Sequence, residues 1–148
     1  MSLGSPSFTF RIVASGITDI GRLRKHNEDT VLLRDDLALY MVADGAGGHE
    51  AGNVASALAC TTVAHYFEKT AEAHAGRPDF DVLGLPTAIR RLSSALHRAN
   101  KEVLQIAKAS NRHKGMGTTI VVGWLDARTQ MLHLGHVGDS RCYRLRGG

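Results

Sequence analysis

The chain is poor in cysteine, with only Cys60 and Cys142 and no CxxC pair. This spacing predicts neither a zinc site nor a disulfide framework, and it is typical of a reducing cytosol. No apolar run approaches the ~18 residues that a membrane-spanning helix needs, so no membrane span is predicted. The N-terminus lacks a basic segment followed by an apolar one, which argues against a secretory signal. We expect residues 1–8 to be a tag or a disordered lead, and the protein to be a cytoplasmic monomer.

A strong charge of one sign is also missing. Eighteen Lys and Arg against fourteen Asp and Glu give a formal net charge of +4, and the basic residues are spread along the chain. The short basic clusters at 22–25 and 141–146 have no interleaved aromatic residues, so nucleic-acid binding is not predicted. A length of 148 residues with 43% hydrophobic content is typical of one globular domain with its own core.

Hydrophobic periodicity predicts six strands and two helices. The predicted strands are 9–17, 30–34, 37–43, 118–125, 131–137 and 141–145. The predicted helices are 53–73 and a more regular one that begins near Pro86 and extends through Ile106. Strands, then two helices, then strands indicate an α+β layered fold with a largely antiparallel sheet.

The most informative segment is MVADGAGGHEAGNVAS at residues 41–56, where a mostly apolar run ends in Asp44. Gly45, Gly47 and Gly48 follow within four positions. A carboxylate at a strand end, followed by a loop with few side chains, lets backbone groups approach an ion or a phosphate closely. The alternative is an ordinary tight turn, because Asp-Gly is a common turn dipeptide. The lysine of a P-loop and the spacing of GxGxxG are both missing.

A second acidic pair, Glu28 and Asp29, precedes the strand predicted at 30–34. Two acidic clusters at strand edges are suited to hard divalent cations, which prefer oxygen ligands. Arg24 is a planar cation that can grip phosphate oxygens through two parallel hydrogen bonds. The alternative interpretation of this segment is a charged connection with no chemical role.

Two further segments, GMGTT at 115–119 and GDSR at 138–141, are ordinary turns when taken singly. Together, the set RxxNED, VADGxGGH, GxGTT and HVGDSRxY, in this order and spacing, resembles the metal-dependent type 2C protein phosphatases, particularly the bacterial branch. The resemblance extends from about Gly16 to Leu145, nearly the whole chain. Residues 9–148 would form the N-terminal portion of the family's domain.

The resemblance implies an α-β-β-α sandwich, in which two packed β-sheets are flanked by helices on both sides, with its C-terminal part missing from this chain. It implies hydrolysis of phosphoserine and phosphothreonine in phosphoprotein substrates of a Ser/Thr kinase. Two Mg²⁺ or Mn²⁺ ions would share a bridging hydroxide that attacks phosphorus in one step, without a phosphoenzyme. Arg24 would bind the substrate phosphate. Neither cysteine begins a CxxxxxR nucleophile loop.

The resemblance also implies a role for each acidic position. Asp44 would bridge both ions, and the carbonyl of Gly45 would add an oxygen to one of them. Glu28 would hold the second ion partly through water, and Asp29 would support that water network. Asp139 resembles the acid that some members use for a weaker third metal.

The chain departs from the family pattern in three respects. The two further metal-binding aspartates that the family carries after the position of Asp139 do not occur before Gly148. Ala46 stands where bacterial relatives usually have Met, and Asn53 stands where an acid is common. The first departure favours an alternative function, a non-catalytic phosphatase-like binding or regulatory module, although the retained acids argue against it. A nucleotide enzyme that uses the glycine loop is a third alternative.

Overall fold

The computed structural model describes residues 11–47 and 51–147. Within these ranges, the chain forms one antiparallel sheet with two long helices packed against it. The strands are β1 (Asp29–Arg34), β2 (Leu39–Ala46), β3 (Gly117–Thr118), β4 (Ile120–Asp126) and β5 (Met131–Val137). The helices are α1 (Ala51–Lys69), the short α2 (Ala71–Ala75) and α3 (Thr87–Ala109). The prediction of an α+β layered fold with an antiparallel sheet is therefore confirmed.

Strand β2 lies inside the sheet, whose order is β1-β2-β4-β5, with β3 paired to the end of β2. Its side chains alternate between buried and accessible, as expected for a strand with one face on the core. Met41 lies opposite Val122 of β4 in the register, and both side chains are buried under the helices. Because β2 pairs on both sides, its last residues are held in place by two neighbouring strands.

The helices bury small and branched side chains against the sheet. On α1, every buried position from Ala51 to Ala64 carries a small side chain or Val63, which lets this helix lie close to β1 and β2. Near its end, Phe67 is almost fully buried and meets Trp124 of β4 edge-to-face, with ring centroids 4.9 Å apart. Of the helices in the described ranges, none combines the length and the apolar character needed to span a bilayer.

The other face of the sheet has no helix over it among the described residues. Val42 is 42% exposed, Leu33 39% and Leu134 53%, although all three lie within paired strands. In an α-β-β-α sandwich this face would be covered by a second sheet. The described part of the chain thus supplies one sheet and the helix layer on one side of it.

Two predicted strands are wrong. Residues 11–17 and 141–145 have no regular secondary structure, while residues 9 and 10 lie outside the described ranges. Both segments have strand-like composition, but Ile17 is 91% exposed and Leu145 92% exposed. A β-strand requires a neighbour that completes its hydrogen bonds, and neither segment pairs with a described strand.

The remaining element boundaries differ by a few residues from the prediction. Strand β2 continues to Ala46 because Gly45 and Ala46 pair with β3. Helix α1 ends at Lys69, where the hydroxyl of Thr70 donates to the Tyr66 carbonyl at 2.7 Å. Such local hydrogen bonds compete with the helical pattern, so the predicted helix 53–73 is broken into α1 and α2.

Candidate active site

Sheet register places two carboxylates side by side. Asp29 at the start of β1 is the antiparallel partner of Asp44 near the end of β2. Residues directly opposite each other in such a ladder have Cβ atoms about 5 Å apart, and like charges there repel. Burial raises the pKa of Asp29 and the neighbouring charge of Asp44 raises it further, while the charge of Arg24 opposes this shift. The acids of this corner of the sheet thus outweigh its nearby positive charge.

Glycine residues allow three backbone segments to meet at the same corner. The amide of Gly45 donates to the carbonyl of Glu28 at 3.1 Å. A Cβ atom on Gly45 would lie 2.0 Å from the carbonyl oxygen of Gly52, and one on Gly52 would lie 2.7 Å from Cδ of Glu28. Only glycine fits at these contacts. They seat the Glu28 side chain, 14% exposed, against the first turn of α1.

Ser56 of α1 fixes the backbone at the acidic pair. Its hydroxyl is fully buried and donates to the Glu28 carbonyl at 2.6 Å, and it lies 2.9 Å from the hydroxyl of Thr30. The sequence analysis missed Ser56. One signal was available, because Ser56 lies four residues after Gly52 and therefore on the same face of the helix.

Replacement of Ser56 by alanine should lower the free energy of unfolding by about 1–2 kcal/mol, because a buried hydrogen bond that ties α1 to β1 is lost. Urea denaturation measures this change. Thr61→Ala is the matched control, since the Thr61 hydroxyl is exposed and bonds within α1 to the Ala57 carbonyl. We expect the control to change stability by less than ~0.5 kcal/mol. If Ser56→Ala and Thr61→Ala lower the free energy of unfolding equally, the Ser56 hydroxyl does not stabilise the packing of α1 on β1.

The GxGTT segment holds the backbone of Asp44. The amide of Thr119 donates to the Asp44 carbonyl at 2.9 Å, and the Asp44 amide donates to the Thr119 hydroxyl at 3.2 Å. The hydroxyl of Thr118 donates to the same carbonyl at 2.9 Å. The Thr119 hydroxyl also contacts that of Ser140. The motif was recognised in the sequence, but this positioning role was not.

Arg24 lies on a loop that folds back towards the acids. Its guanidinium Nη1 is 3.9 Å from Oε2 of Glu28, and its side chain is 71% exposed. The loop is closed by Asn27, whose side-chain amide donates to the Thr18 hydroxyl at 2.9 Å and whose Oδ1 accepts from the Asp29 amide at 3.0 Å. Arg24 can therefore reach an anion that enters from solvent.

A cavity of about 210 Å³ lies between this loop and β2. Four of the six predicted site residues line it, namely Arg24, Glu28, Asp29 and Asp44. Asp139 lines neither this cavity nor the larger one of about 490 Å³ beside Asp44, which its neighbour Ser140 does line. The roles assigned to these residues stay predictions. Gly48 and His49 of the glycine loop lie outside the described residues.

The donor set fits a hard divalent cation in part. Its atoms are carboxylate and carbonyl oxygens, which Mg²⁺ and Mn²⁺ favour, and the acids outnumber the single arginine. Among residues 11–47 and 51–147, however, no three His, Cys, Asp or Glu side chains are grouped closely enough to hold a metal ion.

Comparison with solved structures relates this arrangement to bacterial phosphatases. The crystal structure of the Mycobacterium tuberculosis serine/threonine phosphatase PstP/Ppp superimposes with a TM-score of 0.64 at 31% identity, covering 83% of this chain and 45% of that one. The catalytic domain of PstP in complex with two manganese ions gives a TM-score of 0.61 at 32% identity, covering 83% and 46%. Both likenesses extend over most of the described fold.

Sequence comparison identifies the family. The protein phosphatase 2C family model matches residues 24–148, and the chain belongs to this family. The serine/threonine phosphatase Stp of Listeria monocytogenes is 34% identical over 132 residues, which are 87% of this chain and 48% of that relative. PstP of M. tuberculosis is 34% identical over 131 residues, 88% of this chain and 22% of PstP. The chain thus spans about half the length of the Listeria relative.

Proposed function

We propose that the protein is a metal-dependent phosphatase that hydrolyses phosphoserine and phosphothreonine in proteins. The proposed active site is the corner of the sheet where β1 begins and β2 ends. The observation that carries the proposal is the Asp29–Asp44 carboxylate pair, formed where Gly45 packs on Glu28. Two adjacent carboxylates repel each other, and a divalent ion bound beside them would stabilise the pair. The manganese-bound structure of PstP supports the same assignment.

In this proposal Asp44, Glu28, Asp29 and the carbonyl of Gly45 hold two Mg²⁺ or Mn²⁺ ions, and Asp139 serves a third. The bound ions supply a water of lowered pKa and neutralise charge on the phosphoryl group, so that hydrolysis needs no phosphoenzyme. The hydroxyls of Thr118 and Thr119 keep the Asp44 backbone in position through their hydrogen bonds.

Arg24 orients the substrate phosphate. Its exposed guanidinium lies at the mouth of the 210 Å³ cavity and can bind two phosphate oxygens at once. Cys60 is unsuited to act as a nucleophile, because it is fully buried and burial raises the pKa of its thiol to about 12. Phosphoproteins modified by a Ser/Thr kinase are the proposed substrates, and cytoplasmic location and a monomeric state stay predictions.

A second candidate function is a non-catalytic phosphoprotein-binding module of the same family. It is favoured by the finding that the described residues provide no group of three side-chain metal ligands. In this case Arg24 would bind phosphoprotein without hydrolysis.

Phosphate release from a phosphothreonine peptide distinguishes the two functions. The protein is assayed with any sequence that its gene encodes beyond residue 148, first in EDTA and then with added MnCl₂ or MgCl₂. The phosphatase releases phosphate only with added metal, and the unphosphorylated peptide serves as a control for contaminating phosphate. Binding of the phosphopeptide without release of phosphate at any metal concentration would instead support the module.

A further inference from the structure

A second cavity, lined by basic residues, lies far from the acidic corner, between the C-terminal end of α1, α2 and the first turns of α3. Its volume is about 140 Å³, compared with the ~15 Å³ that one water molecule needs. Its basic lining residues are three arginines and a histidine, Arg77, Arg90, Arg91 and His74. Thr70 and Ser94 also line it, and no carboxylate residue does.

Arg91 is the innermost cation of this pocket and is half-buried. Its Nη2 donates to the Phe67 carbonyl at 2.6 Å and its Nε to the Thr70 hydroxyl at 3.0 Å. Its guanidinium stacks over the rings of Phe67 and Trp124, at 4.3 and 4.9 Å from their centroids. Burial lowers the pKa of Arg91, against the opposing charge of Asp126. Its Nη1 has no hydrogen-bond partner among the described residues, so one edge of a desolvated cation is available to a ligand.

Nearby acids are already engaged by other basic groups. Asp81 pairs with Arg90 at 2.6 Å, and Asp79 pairs with Arg128 at 2.9 Å. Asp126 is buried against His74, with Oδ2 and Nε2 3.4 Å apart.

The two remaining guanidinium groups, those of Arg77 and Arg91, have no carboxylate within ion-pair distance in the described part of the chain. The side chain of Arg77 makes no hydrogen bond there either, and only its backbone groups are used. A cavity between two such cations is complementary to an anion.

The pocket is separate from the acidic corner. Trp124, under Arg91, is the register partner of Leu39 at the start of β2, whereas Asp44 pairs with Asp29 near the end of that strand. Five residues of extended strand correspond to about 17 Å. An anion in this pocket therefore cannot contact the residues proposed for hydrolysis.

We propose that this pocket binds a phosphoryl oxyanion, held by Arg91 and Arg77 with Ser94 beside it. Guanidinium groups match the geometry of phosphate oxygens, and a partly desolvated guanidinium strengthens the contact. Inorganic phosphate and the phosphoryl group of a phosphoprotein share this chemistry. Anion binding in this pocket does not depend on hydrolysis at the acidic corner, so this proposal and the proposed function can be tested independently.

Trp124 provides the readout, because it is the only tryptophan of the chain and lies under Arg91. Sodium phosphate is titrated into the Arg24→Gln protein in EDTA at constant ionic strength, which removes the arginine proposed to bind phosphate at the corner. We expect a saturable change in Trp124 fluorescence, and no such change with sodium chloride. A response to phosphate that is absent, or that chloride reproduces, would overturn the proposal.

Arg77→Gln, made in the same background, tests the pocket directly. The loss of one charge-assisted contact should weaken phosphate binding about tenfold, and Arg77→Lys should recover part of this loss. Arg144→Gln is the matched control, because it removes the same charge from an exposed position outside the pocket. We expect the Arg144→Gln protein to bind phosphate with unchanged affinity. Equal weakening by Arg77→Gln and Arg144→Gln would show that the phosphate responds only to net charge, and would overturn the proposal.

A phosphoserine peptide distinguishes the two sources of the anion. If it competes with inorganic phosphate while its unphosphorylated form does not, the pocket accepts phosphoprotein. If only inorganic phosphate binds, the pocket is specific for the free ion. Either result supports an oxyanion site, whereas competition by the unphosphorylated peptide to the same extent would argue against it.

Discussion

Asp44→Asn is expected to reduce metal-dependent phosphate release from a phosphothreonine peptide by about 10³-fold or more. The substitution keeps the shape of the side chain but removes one of the two adjacent negative charges, and it can turn an N–H group towards the cation. If the corner binds metal as proposed, both ion affinity and the rate fall together. Titration of Mn²⁺ by calorimetry measures the first effect, and phosphate release measures the second.

Stability in EDTA separates this effect from damage to the fold. Asp44→Asn removes the repulsion between Asp44 and Asp29, so the free energy of unfolding without metal should be unchanged or slightly higher. Asp35→Asn, in the 3₁₀ turn at the other end of the β1–β2 hairpin, is the matched control and should retain activity. An unimpaired rate in Asp44→Asn would refute the role proposed for this residue.

Gly45→Ala is expected to lower the free energy of unfolding by about 3 kcal/mol or more. Its new Cβ would lie 2.0 Å from the Gly52 carbonyl oxygen and 2.6 Å from that of Glu28. Both obstacles are backbone atoms, which cannot turn away as a flexible side chain can. Either β2 separates from α1 or the hydrogen bond from Gly45 to Glu28 is broken, and in both cases the acidic corner opens.

Gly117→Ala is the matched control for this substitution. Gly117 lies in β3 beside the same end of β2, but a Cβ there would meet no atom within 4 Å. We expect its unfolding midpoint in urea to remain close to that of the unchanged protein. If Gly45→Ala were as stable as Gly117→Ala, the close contact between β2 and α1 would not be required for the fold.

Local pattern was enough to predict most of the fold. Of the six-residue apolar stripe that indicates α3, Leu92, Ala99 and Val103 are buried and Leu96 and Ile106 are partly buried against the core, whereas Ile89 is 55% exposed. Strand β5 occupies the predicted residues 131–137. The failures share one physical cause. The strand-like segments 11–17 and 141–145 have suitable side chains, but whether a neighbouring strand will complete their hydrogen bonds is not encoded in their own composition.

The candidate site was predictable to a similar extent. Arg24, Glu28, Asp29 and Asp44 were identified because each motif is contiguous in sequence, and all four line one cavity. The groups that position these four side chains were not predicted from the sequence. The Thr119 hydroxyl reaches the Asp44 amide across 75 positions, and Ser56 reaches the Glu28 carbonyl across 28. Contacts of this range depend on strand register and helix placement, which local sequence does not specify.

The strand order of the sheet has a consequence for the sequence of events during folding. The β1–β2 hairpin closes over the short 3₁₀ turn Asp35–Leu37, whereas pairing of β2 with β4 must join segments separated by both long helices. Closing the longer loop costs more chain entropy and is slower. We therefore expect Asp29 and Asp44 to come together in the hairpin before the threonine hydroxyls that fix Asp44 reach it, since these must wait for β4 to dock. With this order of events, the acidic corner would become rigid only once the sheet has closed around β2.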